Sequence, residues 1–218
     1  MRVVLAVIGL LLMPSSALAA ELSLKVEVPG GVRYGAATNA SGVLSDGSAP
    51  LPEQAVVLET RSYPYEEEFE EVDDTTTASD GTFRFSRRFD RNTQIRVSAP
   101  VLVASSSVAQ AFVFPAFQLK FKALGPSSIR VTQSYRTPPD VRLKAPTIFY
   151  VGPGEARMGR VGARAPVRRL RSGRFESSAR IRLPREWDGS FQYASCFRYT
   201  KGSGLGDPAA PCPRRFRF

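Results

Sequence analysis

The chain has 218 residues, 43% of them hydrophobic, enough apolar side chains for the core of one large or two modest domains. It contains no histidine and only two cysteines, which excludes Ser-His-Asp and Cys-His catalysis, imidazole acid–base chemistry and His- or Cys₄-ligated zinc. Lys and Arg number 30 against 20 Asp and Glu, a net charge of +10.

Residues 1–19 carry a positive start at Arg2, an apolar run from Val3 to Met13, a break at Pro14-Ser15-Ser16 and the small-x-small end Ala17-Leu18-Ala19. This is the three-part pattern of a secretory signal peptide. The apolar run of 11 residues falls short of the ~20 that span a bilayer. The expected mature chain starts at residue 20, is exported to the envelope or secreted, and is not membrane-spanning.

Beyond the leader, alternation of period two dominates and no helical period is sustained, so the expected fold class is all-β. Leu22, Leu24, Val26 and Val28 alternate with Ser23, Lys25 and Glu27. Val43-Leu44-Ser45-Asp46-Gly47-Ser48-Ala49-Pro50-Leu51 leads to Ala55-Val56-Val57-Leu58. Thr77-Ala78-Ser79-Asp80-Gly81-Thr82-Phe83-Arg84-Phe85 and Ile95-Arg96-Val97 follow. Residues 43–97 resemble bacterial immunoglobulin-like and carboxypeptidase-regulatory-like (transthyretin-like) β-sandwich domains. The shared features are a loop of small residues, a V-x-L strand, a threonine, a D-G-x-F turn and a final apolar strand. The resemblance covers about a quarter of the chain and implies a structural or binding module of an exported protein.

Inside that stretch Glu66, Glu67, Glu68, Glu70, Glu71, Asp73 and Asp74 form an acidic run. Carboxylates are the ligands of Ca²⁺, but the spacing matches no EF-hand loop. The favoured reading is a solvated edge strand protected by its charge, with no metal or cofactor expected. Tyr63-Pro64-Tyr65 offers an aromatic lip for a sugar, against the commoner role of aromatics as packing.

Val108 to Phe114 reads as a closing strand, and Phe117, Leu119, Phe121 and Ala123 open another after Pro115-Ala116. The expectation is two tandem immunoglobulin-like antiparallel β-sandwich domains, residues 20–115 and 116–218, packed end to end. Their charges oppose each other. The first holds 8 Lys and Arg against 14 Asp and Glu, a net of −6; the second holds 21 against 6, a net of +15.

The basic charge is densest at Arg157, Arg160, Arg164, Arg168, Arg169, Arg171 and Arg174, a stretch loosened by Gly159, Gly162 and Pro166. Guanidinium forks suit carboxylates, phosphates and sulfates. Two readings stand: an anion-binding surface for a cell-wall polymer, an acidic polysaccharide, lipid headgroups, extracellular nucleic acid or an acidic protein surface, or the solvated face of two strands. Sequence-specific nucleic-acid binding is not expected, since no recognition helix is visible.

Phe175 to Leu183 and Phe191 to Tyr199 alternate again. Cys196 and Cys212 flank a turn-rich loop of fifteen residues, and an even pair in an exported chain reads as a disulfide. Closing that loop contributes about 3 kcal/mol in the chain-entropy picture. Without histidine, hydrolysis would need paired carboxylates, and no recognisable motif holds a pair. The chain therefore reads as a non-catalytic module.

Overall fold

A computed structural model describes residues 23–29, 31–143, 146–153, 161–184, 191–197 and 202–206. The expected leader, Arg157, Arg160 and Cys212 lie outside them, and Cys196 is placed by its backbone alone. The disulfide reading therefore also lies outside the described residues.

The described chain is all-β apart from one 3-10 turn at Pro100–Leu102. Before Pro115 the strands are β1 (Ser23–Glu27), β2 (Gly31–Arg33), β3 (Ala37–Ser45), β4 (Ala55–Ser62), β5 (Glu70–Thr76), β6 (Thr82–Arg88), β7 (Thr93–Ala99), β8 (Ala104–Ser105) and β9 (Ala109–Phe114). They form one sheet in the order β1-β3-β6 and another in the order β2-β9-β7-β4-β5, with β8 on the end of β7. Period-two alternation turns Leu44, Phe83 and Phe85 of the first sheet toward Val56, Leu58, Ile95, Val97 and Val113 of the second. None of the eight is more than 4% exposed. Burial of each such side chain stabilises the fold by about 1.5–3 kcal/mol. Thr77 ties the loop before β4 to the end of β5: its hydroxyl donates to the Leu51 carbonyl at 2.7 Å and accepts from the Gln54 N–H at 2.9 Å.

After Pro115 come β10 (Ala116–Gly125), β11 (Ser128–Arg136), β12 (Thr147–Pro153), β13 (Val161–Ala165), β14 (Arg168–Arg171), β15 (Arg174–Arg182) and β16 (Phe191–Phe197). Their sheets run β10-β11-β15-β14 and β13-β12-β16. Val131 and Ile181 of the first, with Leu183 just past β15, meet Phe149, Val151 and Ala165 around the second in a separate buried cluster. Beside it lies a buried polar chain. The Tyr135 and Thr147 hydroxyls are hydrogen-bonded, Thr147 donates to Ser177 at 2.9 Å, and Ser177 donates to the Pro166 carbonyl at 3.1 Å.

Among the described residues no strand pair crosses Pro115, but burial does. The first cluster continues into Tyr135, Val141, Leu143, Phe175 and Leu205. Leu205 belongs to a strap, residues 202–206, that runs back onto the first half. The Asn92 N–H donates to the Gly204 carbonyl at 2.7 Å, and the Gly206 N–H to the Val113 carbonyl at 2.7 Å. The Asn92 side chain, 6% exposed, completes the seam. It accepts from the Val113 N–H and donates to the Gly206 carbonyl, each at 2.8 Å. Gly204 lies flat on Tyr63. Its φ is +66°, and a Cβ there would sit 2.7 Å from the Tyr63 ring. An ion pair joins Arg91 to Asp140 across the same junction. Among the described residues no helix is long and apolar enough to cross a membrane.

Asn92→Ala strands a buried N–H and a buried carbonyl, so the denaturation midpoint should fall by the equivalent of about 2–5 kcal/mol. Gly204→Ala should destabilise as well, through a strained φ and the Tyr63 contact. Desolvation pushes the Tyr135 hydroxyl up to about 12, against the hydrogen bonds from Thr147 and Ser177. The folded state thus keeps this proton longer than the unfolded chain. Its contribution is complete below about pH 10 and is lost as pH rises toward about 12. Denaturant titrations across that window should show Tyr135→Phe losing on the order of 2–3 kcal/mol less stability than the parent.

Candidate anion-binding face

The sheet β10-β11-β15-β14 has two unlike faces. The rows Phe121–Val131–Ala179 and Phe117–Tyr135–Phe175 share one face, buried at Val131, Tyr135 and Phe175 and exposed at Phe117 and Phe121 on the outer strand β10. The alternate rows turn outward, because residues two apart share a face. Moving toward the junction, the outward rows are Lys122–Arg130–Arg180, then Lys120–Thr132–Ser178, then Gln118–Ser134–Glu176–Arg168, and last Arg136–Arg174–Arg171. Arg182, opposite Ser128, extends them at the far end.

The outward face therefore carries Lys120, Lys122, Arg130, Arg136, Arg168, Arg171, Arg174, Arg180 and Arg182, all exposed, with Glu176 as its carboxylate. Like charges stand directly opposite one another at Lys122–Arg130, Arg130–Arg180, Arg136–Arg174 and Arg171–Arg174. Such cross-strand pairs are destabilising. Among the described residues none of the nine cations has a carboxylate within ion-pair distance; the ion pairs found are Arg91–Asp140 and Arg96–Glu59. Arg180 donates to the Ser128 hydroxyl at 3.3 Å, and Arg136 lies 6.0 Å from the Tyr34 ring centroid.

The arginines singled out in sequence divide between faces. Arg168, Arg171 and Arg174 belong to the basic face. Arg169 is exposed opposite Phe175 on the edge strand β14. Arg164, on β13 opposite Ile148, points off the other sheet, away from Phe149 and Val151. Arg157 and Arg160 lie outside the described residues. Six cations of the face, Lys120, Lys122, Arg130, Arg136, Arg180 and Arg182, lie outside the dense arginine run. Their signal was present as charged residues recurring every second position opposite apolar ones.

The acidic run lies where an edge strand was expected: β5 ends its sheet and pairs only with β4 among the described strands. Glu66, Glu67, Glu68, Glu70, Glu71 and Asp74 are exposed. Its surroundings are partly neutralised. Arg96 grips Glu59 with two bonds of 2.8 and 3.1 Å, and Glu59 stands opposite Glu71. Arg61 and Arg96 both lie over the Phe69 ring, at 4.7 and 4.4 Å. Among the described residues no three carboxylates converge as a metal site. The Tyr63–Tyr65 pair is not an open lip. Tyr63 is covered by Gly204, and the Tyr65 hydroxyl accepts from Gln110 at 3.1 Å.

No family model matches this sequence, and no curated protein matches it. Solved structures similar to it include Salmonella alpha-2-macroglobulin reacted with methylamine, at TM-score 0.38 and 9% identity, covering 82% of this chain and 16% of that one. The native conformation of E. coli alpha-2-macroglobulin gives TM-score 0.36 and 9% identity over 80% and 16%. The trypsin-activated form from Escherichia coli gives 0.32 and 13% over 80% and 14%. The chain spans a small part of those proteins.

Arg130 stands between Lys122 and Arg180. Arg130→Glu should therefore raise stability by roughly 0.5–1 kcal/mol at low salt, and the gain should shrink as salt is added. Urea midpoints at two ionic strengths read this directly.

Proposed function

We propose that the chain is an exported, non-catalytic module of two immunoglobulin-like sandwiches in tandem, and that its basic sheet face binds an anionic polymer of the cell envelope. The Cys196–Cys212 disulfide belongs to this reading, as does removal of the leader. The observation that carries it is the pair of like-charged rows, Lys122–Arg130–Arg180 and Arg136–Arg174–Arg171. A face that needed only solubility would intersperse both signs; this one keeps cations opposite cations, which costs stability in the free protein. A polyanion laid along the strands offsets that repulsion and releases its own counterions. Sheet rows are about 7 Å apart along a strand, and neighbouring strands about 4.8 Å apart. The cations thus form a two-dimensional grid suited to a repeating charge.

The test is retention of the folded protein on immobilised polyuronate over a salt series from about 0.05 to 0.5 M, where screening shortens from beyond to well within the spacing of the charges. The parent should be retained and should elute sharply as salt rises. Lys122→Ser, Arg130→Ser and Arg180→Ser together should elute much earlier, and Arg164→Ser should elute with the parent. Co-elution of the triple variant with the parent contradicts the proposal. Sedimentation in the same series separates a second reading, in which the exposed carboxylates of Glu66, Glu67 and Glu68 in another copy occupy the face. Under that reading low salt drives self-association, and changing those three residues to Gln abolishes it.

A further inference from the structure

A cleft of about 450 Å³ opens where the two halves meet, at the end of the basic face. That volume lies within the ~300–1,000 Å³ of ordinary small-ligand clefts. Arg88, Asp90 and Tyr34 line it from the first half; Arg136, Arg174 and Ser172 line it from the second. Arg136 and Arg174 are also the opposed pair that ends the basic face. Arg88 and Asp90 are not on that face; they reach the cleft from the end of β6.

The walls are held in place by the fold. The Thr137 N–H donates to the Gly173 carbonyl at 3.0 Å, and the Ser172 hydroxyl donates to the Pro139 carbonyl at 3.2 Å. Gly35, with φ +80°, leaves room for Arg136: a Cβ there would lie 2.9 Å from the guanidinium nitrogen. The strap and the Arg91–Asp140 ion pair fix the two halves about the cleft. Among the described residues Arg88, Arg136, Arg174 and Asp90 take no part in an ion pair.

We propose that this cleft seats one acidic sugar residue of the polymer, its carboxylate on the arginines and its hydroxyls on Asp90 and Ser172. Three guanidinium groups attract an anion, and their planar forks match a carboxylate. Asp90 sets the class. A carboxylate in the wall repels a densely charged phosphate chain but accepts hydrogen bonds from hydroxyls. A singly charged, hydroxyl-rich uronate satisfies both kinds of group. The inference rests on the anionic-polymer reading and names the polymer's chemistry.

The experiment is calorimetric titration of the full chain with oligogalacturonate and with polyphosphate of matched length, at physiological salt. The parent should bind oligogalacturonate more tightly. Arg88→Ser should weaken oligogalacturonate about tenfold, the loss of one charge-assisted hydrogen bond, and leave polyphosphate almost unchanged. Asp90→Asn should shift the preference toward polyphosphate. Arg130→Ser, on the face and remote from the cleft lining, should weaken both ligands. If Arg88→Ser and Asp90→Asn bind both ligands as the parent does while Arg130→Ser weakens both, the cleft proposal falls and the polymer reading stands. If neither ligand binds the parent, both fall.

Discussion

Asn92 is the residue on which the relation between the two halves depends. Through its backbone and both side-chain polar atoms it bonds Gly204, Gly206 and Val113, so one buried amide closes a seam between segments more than a hundred residues apart in sequence. The strap fits because it is Gly-Ser-Gly-Leu-Gly. Gly204 supplies the positive φ and the close approach to Tyr63, and Leu205, 4% exposed, enters the first core. Buried amides left unpaired are costly, so seam and apolar contact are won or lost together. Cys196 and Cys212 flank the strap in sequence, and the expected bond between them closes a loop that contains it. Such a closure reduces the conformations that the strap must give up on docking.

With the junction held, the unequal treatment of charge acquires meaning. The acidic half has compensation built in: Arg96 grips Glu59, and Arg61 and Arg96 cover Phe69 beside the β5 edge. Charge along that edge protects unpaired strand groups from other chains. On the basic face of β10-β11-β15-β14 two rows set cation against cation, Lys122–Arg130–Arg180 and Arg136–Arg174–Arg171, and among the described residues no ion pair offsets them, although Arg168 stands opposite Glu176. Charge kept at the expense of the free protein is the observation on which the proposal of an external counter-charge rests. The junction cleft adds Arg88 from the acidic half to that surface, so the two halves contribute to one candidate site.

Much of the architecture was legible because antiparallel strands with one buried face alternate. Leu119 and Phe121, Phe175 and Ile181, and Ile95 and Val97 each announce a strand that the fold contains. β3 was harder to see: Thr38, Ala40 and Gly42 are small, and its alternation shows only in burial at Thr38, Ala40 and Leu44. The basic face was half legible. Arg168, Arg171 and Arg174 stand out as a run, but Lys122, Arg130 and Arg180 are far apart in sequence and become neighbours only through strand register. In sequence the strap shows only as part of a turn-rich loop, since glycine composition is the same whether a segment wanders or lies flat on a tyrosine. Nothing local in the sequence shows that Asn92 waits for Gly206.

The most direct test of the central claim is mapping of backbone amide chemical shifts as the folded protein is titrated with oligogalacturonate at physiological salt. Perturbations should concentrate in residues 118–136 and 168–182, extend to 88–90 at the junction, and spare Phe149, Val151 and Ala163 to Ala165 on the opposite sheet. Shifts confined to the opposite sheet, or spread evenly over every exposed cation including Arg84 and Arg164, would contradict a dedicated anion-binding face.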